Sequence, residues 1–338
     1  MILAALLSII KEKSAGRKYE VKIALLEPIG VPAEMIEDYG KRLESMGHEF
    51  CYYDSLWKDE EELKERSRDC DIIMIANHPC SGEVIEAAQN LKMISVAFTG
   101  IDHVGTAVCK AKNIMVCNAA GYSNQTVAEL IIGFAVDALR NVVKADHVVR
   151  NGGTSAGIGG REICGRTVGI IGLGQIGTMA AKLFQAFGAK VIAYNRSQSQ
   201  EAIDRGITYC SLDEVLEQSD IVSLNLPLNE ETRGFLNKER IAKMKPDTVF
   251  INCARGPIVD NEALTEALNE DRLGFACIDV FDCEPPIPED YPLLHAKNTI
   301  LTPHQAFVSE ESMKRRAEIV FQNVFAYLKK KPQNVCKL

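Results

Sequence analysis

Short apolar runs alternate with amphipathic stretches over the first part of the chain. Residues 21–26 (VKIALL) form one such run, and after Pro28 and Gly30 a helical pattern extends over residues 32–46. Further apolar runs occupy residues 72–75, 93–97 and 114–117. Continuous apolar strands fit a parallel sheet that is covered on both faces. Their alternation with helical segments therefore predicts an α/β sheet.

A longer helical pattern, at residues 124–150, separates this series from a second one. It contains no proline, and Gly133 is its only interruption before Asn151-Gly152-Gly153. Glycines at that point suit the end of a helix. A core helix would show the same pattern, but a new series of strands begins after it. We therefore expect a single helix that bridges two domains.

The second series predicts a doubly wound sheet, because its strands alternate with helical segments. A helix is expected at residues 175–187, and another at 309–331 is expected to return to the first domain. The predicted domains are residues 1–118 with 309–338, and residues 119–308. The first includes an N-terminal extension at residues 1–20, which we expect to be helical. The six predicted strands are residues 167–171, 190–194, 221–226, 248–252, 276–280 and 299–302.

The length, charge and composition of the chain limit its domain count and the classes of molecule that it is expected to bind. A chain of 338 residues suggests two domains, at about 150 residues each. Lys and Arg total 38 against 46 Asp and Glu, which gives a net charge of −8. This balance argues against nucleic acid and against an anionic membrane surface as partners. The apolar residues 1–10 are too few to span a bilayer, and basic residues follow them instead of preceding them, unlike in a signal peptide.

The 11 cysteines form no C-x-x-C pair and lack zinc-finger spacing. Free thiols are typical of a reducing cytosol. We therefore expect a cytoplasmic protein without a metal site.

The clearest motif is G-x-G-x-x-G, formed by Gly172, Gly174 and Gly177. It follows an apolar strand and opens a helix, the context in which the motif indicates a dinucleotide site. Gly172 would permit the tight turn, Gly174 the approach of a pyrophosphate, and Gly177 close packing of helix and strand. Gln175 and Ile176 lie at the helix start, where N–H groups bind anions.

The residues that select between NAD and NADP are expected at the end of the next strand. Enzymes that use NAD usually carry Asp or Glu there, whereas this chain has Asn195, Arg196 and Ser197. A carboxylate would repel a 2′-phosphate, while an arginine and a serine can bind one. The sequence therefore predicts that NADP(H) is accepted and preferred. The alternative is that Asn195 binds NAD and Arg196 is a solvated loop residue.

Three polar segments end later strands of the second domain, at residues 252–256 (NCARG), 279–285 (DVFDCEP) and 302–304 (TPH). Ligands of open α/β sheets bind beyond the carboxyl ends of the strands. The three segments are therefore expected to meet at one site.

With these motifs in this order, the chain resembles the D-isomer-specific 2-hydroxyacid dehydrogenase family, from about residue 21 to its end. The matching stretches are G-L-G-x-I-G at 172–177, x-P-L-x-x-x-T at 226–232, A-R-G at 254–256, D-V-F-x-x-E-P at 279–285, T-P-H at 302–304 and K-P-x-N-V at 331–335. The resemblance implies an α/β fold of two doubly wound parallel-sheet domains. One would be a Rossmann-type nucleotide domain and the other a flavodoxin-like substrate domain.

The resemblance also implies roles for individual residues. Arg255 would clamp the substrate carboxylate and polarise the ketone. His304 would donate the proton, and Glu284 would pair with it and orient its ring. Backbone N–H groups of Thr99, Gly100 and Ile101, in the other domain, would bind the carboxylate. Asp279 would hold the nicotinamide carboxamide, and the remaining residues expected to line the cofactor are Leu226, Pro227, Thr232, Cys253, Ala254 and His304.

Two features depart from the family pattern. The family's G-V-D-N appears here as Gly100-Ile101-Asp102-His103, and its effect stays open. His78 lies in a loop where the family's substrate-side residues occur. It is either a substrate contact or a solvated loop residue.

The function expected from the resemblance is hydride transfer between NAD(P)H and a small 2-oxo acid, giving an (R)-2-hydroxy acid. The resemblance also implies a homodimer, with residues 124–150 as a candidate interface. One alternative is an enzyme like phosphoglycerate dehydrogenase, although Ala76-Asn77-His78-Pro79 lacks the basic residues that hold a phosphate. Another is a non-catalytic NAD(H)-binding protein like the corepressors of this fold, which fold alone does not exclude.

Overall fold

The computed structural model describes residues 19–283 and 286–338. The chain divides into two compact units. Of the described residues, the first unit contains 19–122 together with Ser309–Leu338, and the second contains those of Ser123–Val308. The predicted helical extension lies outside the described residues over residues 1–18, and Tyr19 and Glu20 form bends.

Each unit is built on one parallel sheet. The strands of the first unit are β1 (Lys22–Leu25), β2 (Glu49–Tyr52), β3 (Ile72–Ile75), β4 (Met93–Val96) and β5 (Met115–Cys117). Those of the second are β6 (Thr167–Ile171), β7 (Lys190–Tyr194), β8 (Thr208–Tyr209), β9 (Ile221–Leu224), β10 (Val249–Asn252), β11 (Phe275–Ile278) and β12 (Thr299–Leu301).

Helices connect these strands in both units. They are α1 (Ala33–Ser45), α2 (Glu60–Ser67), α3 (Gly82–Ala87), α4 (Thr106–Ala111), α5 (Asn124–Arg140), α6 (Val142–Arg150), α7 (Gln175–Ala186), α8 (Gln200–Asp204), α9 (Leu212–Gln218), α10 (Lys238–Ile241), α11 (Asn261–Asn269) and α12 (Glu310–Leu328). Two 3₁₀ turns lie at Gly256–Ile258 and Pro292–His295. No helix within residues 19–283 and 286–338 is long and apolar enough to cross a membrane.

The first sheet has the strand order β2-β1-β3-β4-β5, so the winding direction reverses between β1 and β3. The sequence analysis missed β2, since its residues (EFCY) are only half-buried and give no continuous apolar run. The last helix, α12, packs in this unit, where the Ser95 hydroxyl donates to the carbonyl of Val320 at 2.9 Å.

The second sheet has the order β12-β11-β10-β9-β6-β7-β8. It has seven strands instead of the predicted six, because the two-residue β8 is too short to leave an apolar signal. Both faces are buried. Val168 and Ile170 of β6 pack in a core with α5 and α7, while Ile171 faces a second core that includes α9 and α11. These two cores explain why the strands are apolar throughout.

The prediction of a single helix at residues 124–150 is wrong, because two helices, α5 and α6, meet at Asn141. Asn141 adopts φ +54° and ψ +41°, a left-handed conformation that asparagine tolerates better than most residues. Its side-chain amide donates to the carbonyl of Gly159 at 2.7 Å, and the Asp137 carboxylate accepts from Val143 N–H at 2.9 Å. Gly133, by contrast, lies within α5 without interrupting it.

Candidate functional site

The candidate residues of the second unit lie at one edge of its sheet. All its strand pairs are parallel, and the last residues of neighbouring strands are in register, with Ile171 opposite both Tyr194 and Leu224. In the same way Ile278 is opposite both Asn252 and Leu301. The loops that leave these strands therefore begin side by side. These loops and the first turn of α7 carry the candidate residues Gly172, Gly174, Gln175, Ile176, Gly177, Asn195, Arg196, Ser197, Leu226, Pro227, Thr232, Cys253, Ala254, Arg255, Asp279 and His304.

Each glycine of the motif meets a different constraint. Gly172 has φ +94°, and a Cβ there would lie 2.7 Å from the Asn225 carbonyl oxygen. A Cβ on Gly177 would lie 2.1 Å from the Gly172 carbonyl oxygen. A Cβ on Gly174 would meet no atom within 4 Å, so its missing side chain keeps space open above the turn. Two glycines thus form the turn, and the third keeps the approach to it free.

The same turn presents the start of α7. Gly174 is the N-cap residue, and the first turn, with Gln175 and Ile176, contains no acidic side chain. Its N–H groups and the helix dipole favour an anion at this end. The Asn195 side-chain oxygen accepts from Leu173 N–H at 3.1 Å and joins the turn to the end of β7. These residues fit the pyrophosphate of a dinucleotide.

Asn195, Arg196 and Ser197 follow β7. The Asn195 amide donates to the carbonyl of Ser197 at 2.7 Å, which folds the loop back on itself. Arg196 forms an ion pair with Glu231 at 2.7 Å, and both side chains are about three-quarters exposed, at 77% and 73%. The sequence analysis missed Glu231, because no local pattern relates it to a residue 35 positions earlier.

Glu231 belongs to a closed loop after β9. The Thr232 hydroxyl donates to the carbonyl of Pro227 at 2.6 Å and accepts from Asn229 N–H at 2.8 Å. Leu226 packs at the margin of the core that contains Ile171. Thr232 and Pro227 therefore shape this loop, and any contact between them and a cofactor stays a prediction.

Arg255 is held in position by a buried asparagine. The side chain of Asn252, the last residue of β10, accepts from Ala254 N–H at 3.0 Å and donates to the carbonyl of Arg255 at 3.1 Å. A Cβ on Gly256 would lie 2.0 Å from the backbone of Phe281, so this turn packs directly on the loop after β11. The sequence analysis included Asn252 in the polar segment at residues 252–256 but gave it no role of its own.

Cys253 and Ala254 lie in the same turn. Burial raises the pKa of the Cys253 thiol well above its ordinary value, and the charge of Asp279 acts in the same direction. The thiol is therefore neutral, as expected of a packing residue.

His304 is positioned by Asp279. The Asp279 carboxylate is fully buried and accepts from the Thr302 hydroxyl at 2.5 Å and from Gln305 and Ala306 N–H, each at 2.9 Å. Its carbonyl accepts from His304 N–H at 2.8 Å. His304 has φ +52°, and its ring lies edge-on to Phe307. Burial raises the pKa of Asp279 despite the hydrogen bonds that lower it. These bonds make Asp279 a positioning residue, and its contact with nicotinamide stays a prediction.

Glu284 lies outside the described residues. On one side of it, the Asp282 carboxylate accepts from the Asn261 amide at 3.0 Å and from the Tyr291 hydroxyl at 2.9 Å. The loop after β11 is thus tied to the start of α11. Within residues 19–283 and 286–338, no group of three or more His, Cys, Asp or Glu side chains is arranged to hold a metal ion.

In the first unit, Thr99, Gly100 and Ile101 follow β4 at the carboxyl edge of the sheet. Among the described residues, none accepts a hydrogen bond from the backbone N–H groups of these three. The Asn118 amide donates to the carbonyl of Thr99 at 2.8 Å, which fixes the loop from the opposite side. Three consecutive N–H groups in a fixed loop are suited to a carboxylate.

Comparisons with known proteins show which sequences and structures the chain is similar to. Residues 132–306 match the family model described as D-isomer specific 2-hydroxyacid dehydrogenase, NAD binding domain. The chain is 37% identical to a glyoxylate reductase of Thermofilum pendens over 80% of this chain and 81% of that one. It is 36% identical to a hydroxypyruvate reductase of Blautia hydrogenotrophica over 87% of this chain and 94% of that one. A solved structure of an acyclic imino acid reductase with NADPH and D-Arg is similar at a TM-score of 0.84 and 30% identity, over 94% of this chain and 100% of that one.

Proposed function

Because the chain belongs to the D-isomer-specific 2-hydroxyacid dehydrogenase family, and is thus an NAD(P)-dependent oxidoreductase of 2-oxo and 2-hydroxy acids, we propose that Arg255, Glu284 and His304 carry its chemistry. The observation that supports this most is the register of β10, β11 and β12. Because the ends of these strands are aligned, the loops that carry Arg255 and His304 begin on either side of the loop that carries Asp279. The glycine turn lies at the same edge of the sheet. Cofactor and reacting groups therefore belong to one sheet edge.

Arg255 binds the substrate through its planar guanidinium. Two parallel N–H groups match a carboxylate, and the same positive group draws electron density from the adjacent C2 ketone. The Asn252 side chain holds the backbone turn of Arg255, so the guanidinium starts from a fixed point. The role of the first-unit residues Thr99, Gly100 and Ile101 in binding a substrate carboxylate through their N–H groups stays a prediction.

His304 donates a proton to the C2 oxygen as the ketone is reduced. Glu284 pairs with the imidazole, orients it and stabilises its protonated form. A bound nicotinamide supplies the hydride for C2, so one hydride and one proton convert the 2-oxo acid into the (R)-2-hydroxy acid. Asp279 keeps the His304 backbone in place during this transfer.

The glycine turn and the start of α7 hold the pyrophosphate of the dinucleotide. Leu226, Cys253 and Ala254 form apolar walls along the cofactor, and Asn195 contacts its ribose. NADP(H) is the preferred cofactor, since Arg196 and Ser197 stand where a carboxylate would repel a 2′-phosphate. One solved relative carries NADPH and another carries NAD, so this preference rests on residues 195–197.

The substrate is a small 2-oxo acid. Relatives named glyoxylate reductase and hydroxypyruvate reductase, each at 36% identity or above, support this size class. The 11 free cysteines suit a reducing compartment, and we place the enzyme in the cytoplasm. The assembly is a homodimer that uses the region of α5 and α6.

The proposal is tested by a kinetic screen of glyoxylate, hydroxypyruvate, pyruvate and larger 2-oxo acids with NADPH and with NADH. We expect turnover of at least one small 2-oxo acid, the (R) configuration in every chiral product, and a higher kcat/KM with NADPH. Absence of cofactor oxidation with every acid, by a folded protein that binds NADPH, would favour a binding protein instead.

A further inference from the structure

The turn that carries Arg255 packs against the loop after β11. A Cβ on Gly256, the residue after Arg255, would lie 2.0 Å from the carbonyl oxygen of Phe281 and 2.7 Å from the backbone nitrogen of Asp282. Side chains do not approach a backbone so closely, so only glycine permits this contact. The peptide that joins Phe281 to Asp282 therefore forms one wall of the Arg255 turn.

Hydrogen bonds between side chains join the same two segments. The Asn261 amide nitrogen donates to both oxygens of the Asp282 carboxylate, each at 3.0 Å. Asn261 is the first residue of α11 and is only 6% exposed, whereas Asp282 reaches solvent. The Tyr291 hydroxyl donates to the same carboxylate at 2.9 Å. Burial and the charge of Asp282 raise the pKa of this hydroxyl, so it stays protonated and remains a donor.

The packing contact and the hydrogen bonds together close a short ring. From Gly256 the chain runs five residues to Asn261, crosses to Asp282 through the hydrogen bonds, and returns to Gly256 through the packed peptide. The segment within the ring is regular, because the 3₁₀ turn at Gly256–Ile258 leads directly to the capped start of α11. The ring therefore fixes the turn that begins at Arg255 relative to Asp282.

The orientation of the Asn261 amide is unfavourable at its other end. A carboxylate only accepts hydrogen bonds, so the amide must turn its nitrogen toward Asp282. Its oxygen is buried, and it has no hydrogen-bond partner among the residues that the structure describes. A buried oxygen without a partner is destabilising, and natural proteins keep such groups chiefly at functional sites. The bond to Asp282 thus has a role other than stability.

We propose that Asp282, held by Asn261, is a positioning residue that keeps the Arg255 turn where its guanidinium binds the substrate carboxylate. The inference rests on the proposed function, and it adds a residue that acts through Arg255 instead of on the substrate. A displacement of about 1 Å in a group that binds the reactant can lower the rate about 10²-fold. The loss of one bond in the ring is therefore enough to be measured.

The charge of Asp282 makes the direction of the effect informative. Asp282→Ala removes a negative charge, and by electrostatics alone a less negative surface attracts an anionic 2-oxo acid more strongly. A positioning role predicts the opposite result, which is weaker binding of the acid. The sign of the change therefore separates the two explanations.

The test uses the full chain with NADPH and the 2-oxo acid that it reduces best. It measures KM for that acid and the inhibition constant of oxamate, an unreactive analogue with the same carboxylate. Neither constant depends on the fraction of active protein. We expect both to rise about tenfold in Asp282→Ala and in Asn261→Ala, with an unchanged dissociation constant for NADPH. Asp282→Asn keeps one oxygen that accepts from the Asn261 amide and should recover most of the loss.

Two further variants serve as controls. Asp290→Ala removes an equal charge from an exposed position in the same loop and should leave both constants unchanged. The double variant Asn261→Ala/Asp282→Ala should raise them no further than either single variant, because the two residues act through the same hydrogen bonds.

The outcomes separate this inference from the proposed function. If the wild-type protein reduces none of the 2-oxo acids, both fail. If the wild-type protein is active but Asp282→Ala keeps or lowers the two constants, the positioning role is overturned while the proposed function stands. Equal rises in Asp290→Ala, or a double variant whose effect is the product of the single effects, would overturn it too. A fall of kcat with both constants unchanged would point to Glu284 and count against it as well.

Discussion

Asp279 shows how a single buried carboxylate sets up the proton donor. Three donors converge on its two oxygens, and its carbonyl accepts from His304 N–H. A left-handed backbone at a residue other than glycine is unfavourable, and His304 adopts it. The bonds to Asp279 offset that cost, so the position of the imidazole depends on them.

We predict that Asp279→Asn lowers kcat by about tenfold or more. Asparagine has only one side-chain oxygen, so its NH₂ group would face a backbone or hydroxyl donor and the loop would shift. The dissociation constant for NADPH should change far less, since the glycine turn is distant along the sheet. Stopped-flow kinetics and NADPH titration measure the two quantities. Asp290→Asn, at an exposed position, is the control, and an unchanged kcat in Asp279→Asn would refute the positioning role.

The second prediction at the scale of single residues concerns Arg196 and Glu231. Their ion pair is exposed, so it contributes little to stability, but Glu231 competes with a phosphate for the guanidinium. Arg196→Ala should weaken NADPH binding by about tenfold and NADH binding much less. Glu231→Gln should strengthen NADPH binding relative to NADH. Fluorescence titration with both cofactors measures these ratios, and equal losses for both in Arg196→Ala would contradict the cofactor assignment.

Much of the site was predictable residue by residue, while its supporting partners were not. The glycines, Arg255 and His304 sit in short motifs whose chemistry is local in sequence. Glu231 acts through Arg196, which lies 35 positions away, and nothing in the sequence marks such a pair. The burial of Asp279 and its hydrogen bonds to the loop of His304 also become visible only in three dimensions.

At the scale of elements, one aspartate joins the starts of three neighbouring strands. The Asp220 carboxylate accepts from Thr167 N–H at 2.8 Å and from Lys245 Nζ at 2.6 Å. Its carbonyl accepts from Val249 N–H at 3.0 Å. Burial alone would raise the pKa of Asp220, but the bonds from Lys245 and Thr167 outweigh it and hold the pKa below its ordinary value.

This shift predicts a pH dependence of stability. Since the pKa is lower in the folded chain, the carboxylate stabilises the fold at pH values above about 4, its value in the unfolded chain. The contribution is lost as the pH falls through the folded pKa. Asp220→Asn should lower the free energy of unfolding by about 2 kcal/mol at pH 7, and its difference from wild type should shrink in acid. Urea unfolding at several pH values measures this.

The control for that series is Asp213→Asn, which removes an exposed partner of Lys243. An exposed pair contributes little, so its effect should be small at every pH. A difference between Asp220→Asn and wild type that stays constant into acid would contradict the assignment.

Strands that form continuous apolar runs were predicted well, whereas short or half-exposed strands were not. The runs at β1, β3 and β6 are buried on both faces, so their composition reveals them. β2 and β8 are short or half-exposed, and they are strands because β1 and β7 pair with them. The break at Asn141 depends on bonds to Gly159 and Asp137, which helix periodicity does not contain.

At the scale of the molecule, α6 presents apolar side chains to solvent. All nine of its residues are at least partly exposed, and Val142 and Val149, two helical turns apart, are 51% and 69% exposed. Apolar residues repeated on one helix face are typical of an interface. This region is the one in which the resemblance places the dimer contact.

We therefore predict that the wild-type chain is a dimer and that the double variant Val142→Asp/Val149→Asp is a monomer at the same concentration, because two carboxylates would be buried without partners. Sedimentation velocity measures the two states. Ile203→Asp changes an exposed apolar residue of α8 and should leave the dimer intact. A double variant that sediments like the wild type would exclude α6 from the interface.

The central claim is that His304 donates the proton to a 2-oxo acid at the site built by the second sheet. The most direct measurement compares single-turnover reduction of glyoxylate by wild-type and His304→Gln protein, each saturated with NADPH. We predict that the variant still binds NADPH but reduces the acid about 10²–10⁴-fold more slowly. A variant that reduces the acid at the wild-type rate would contradict the account.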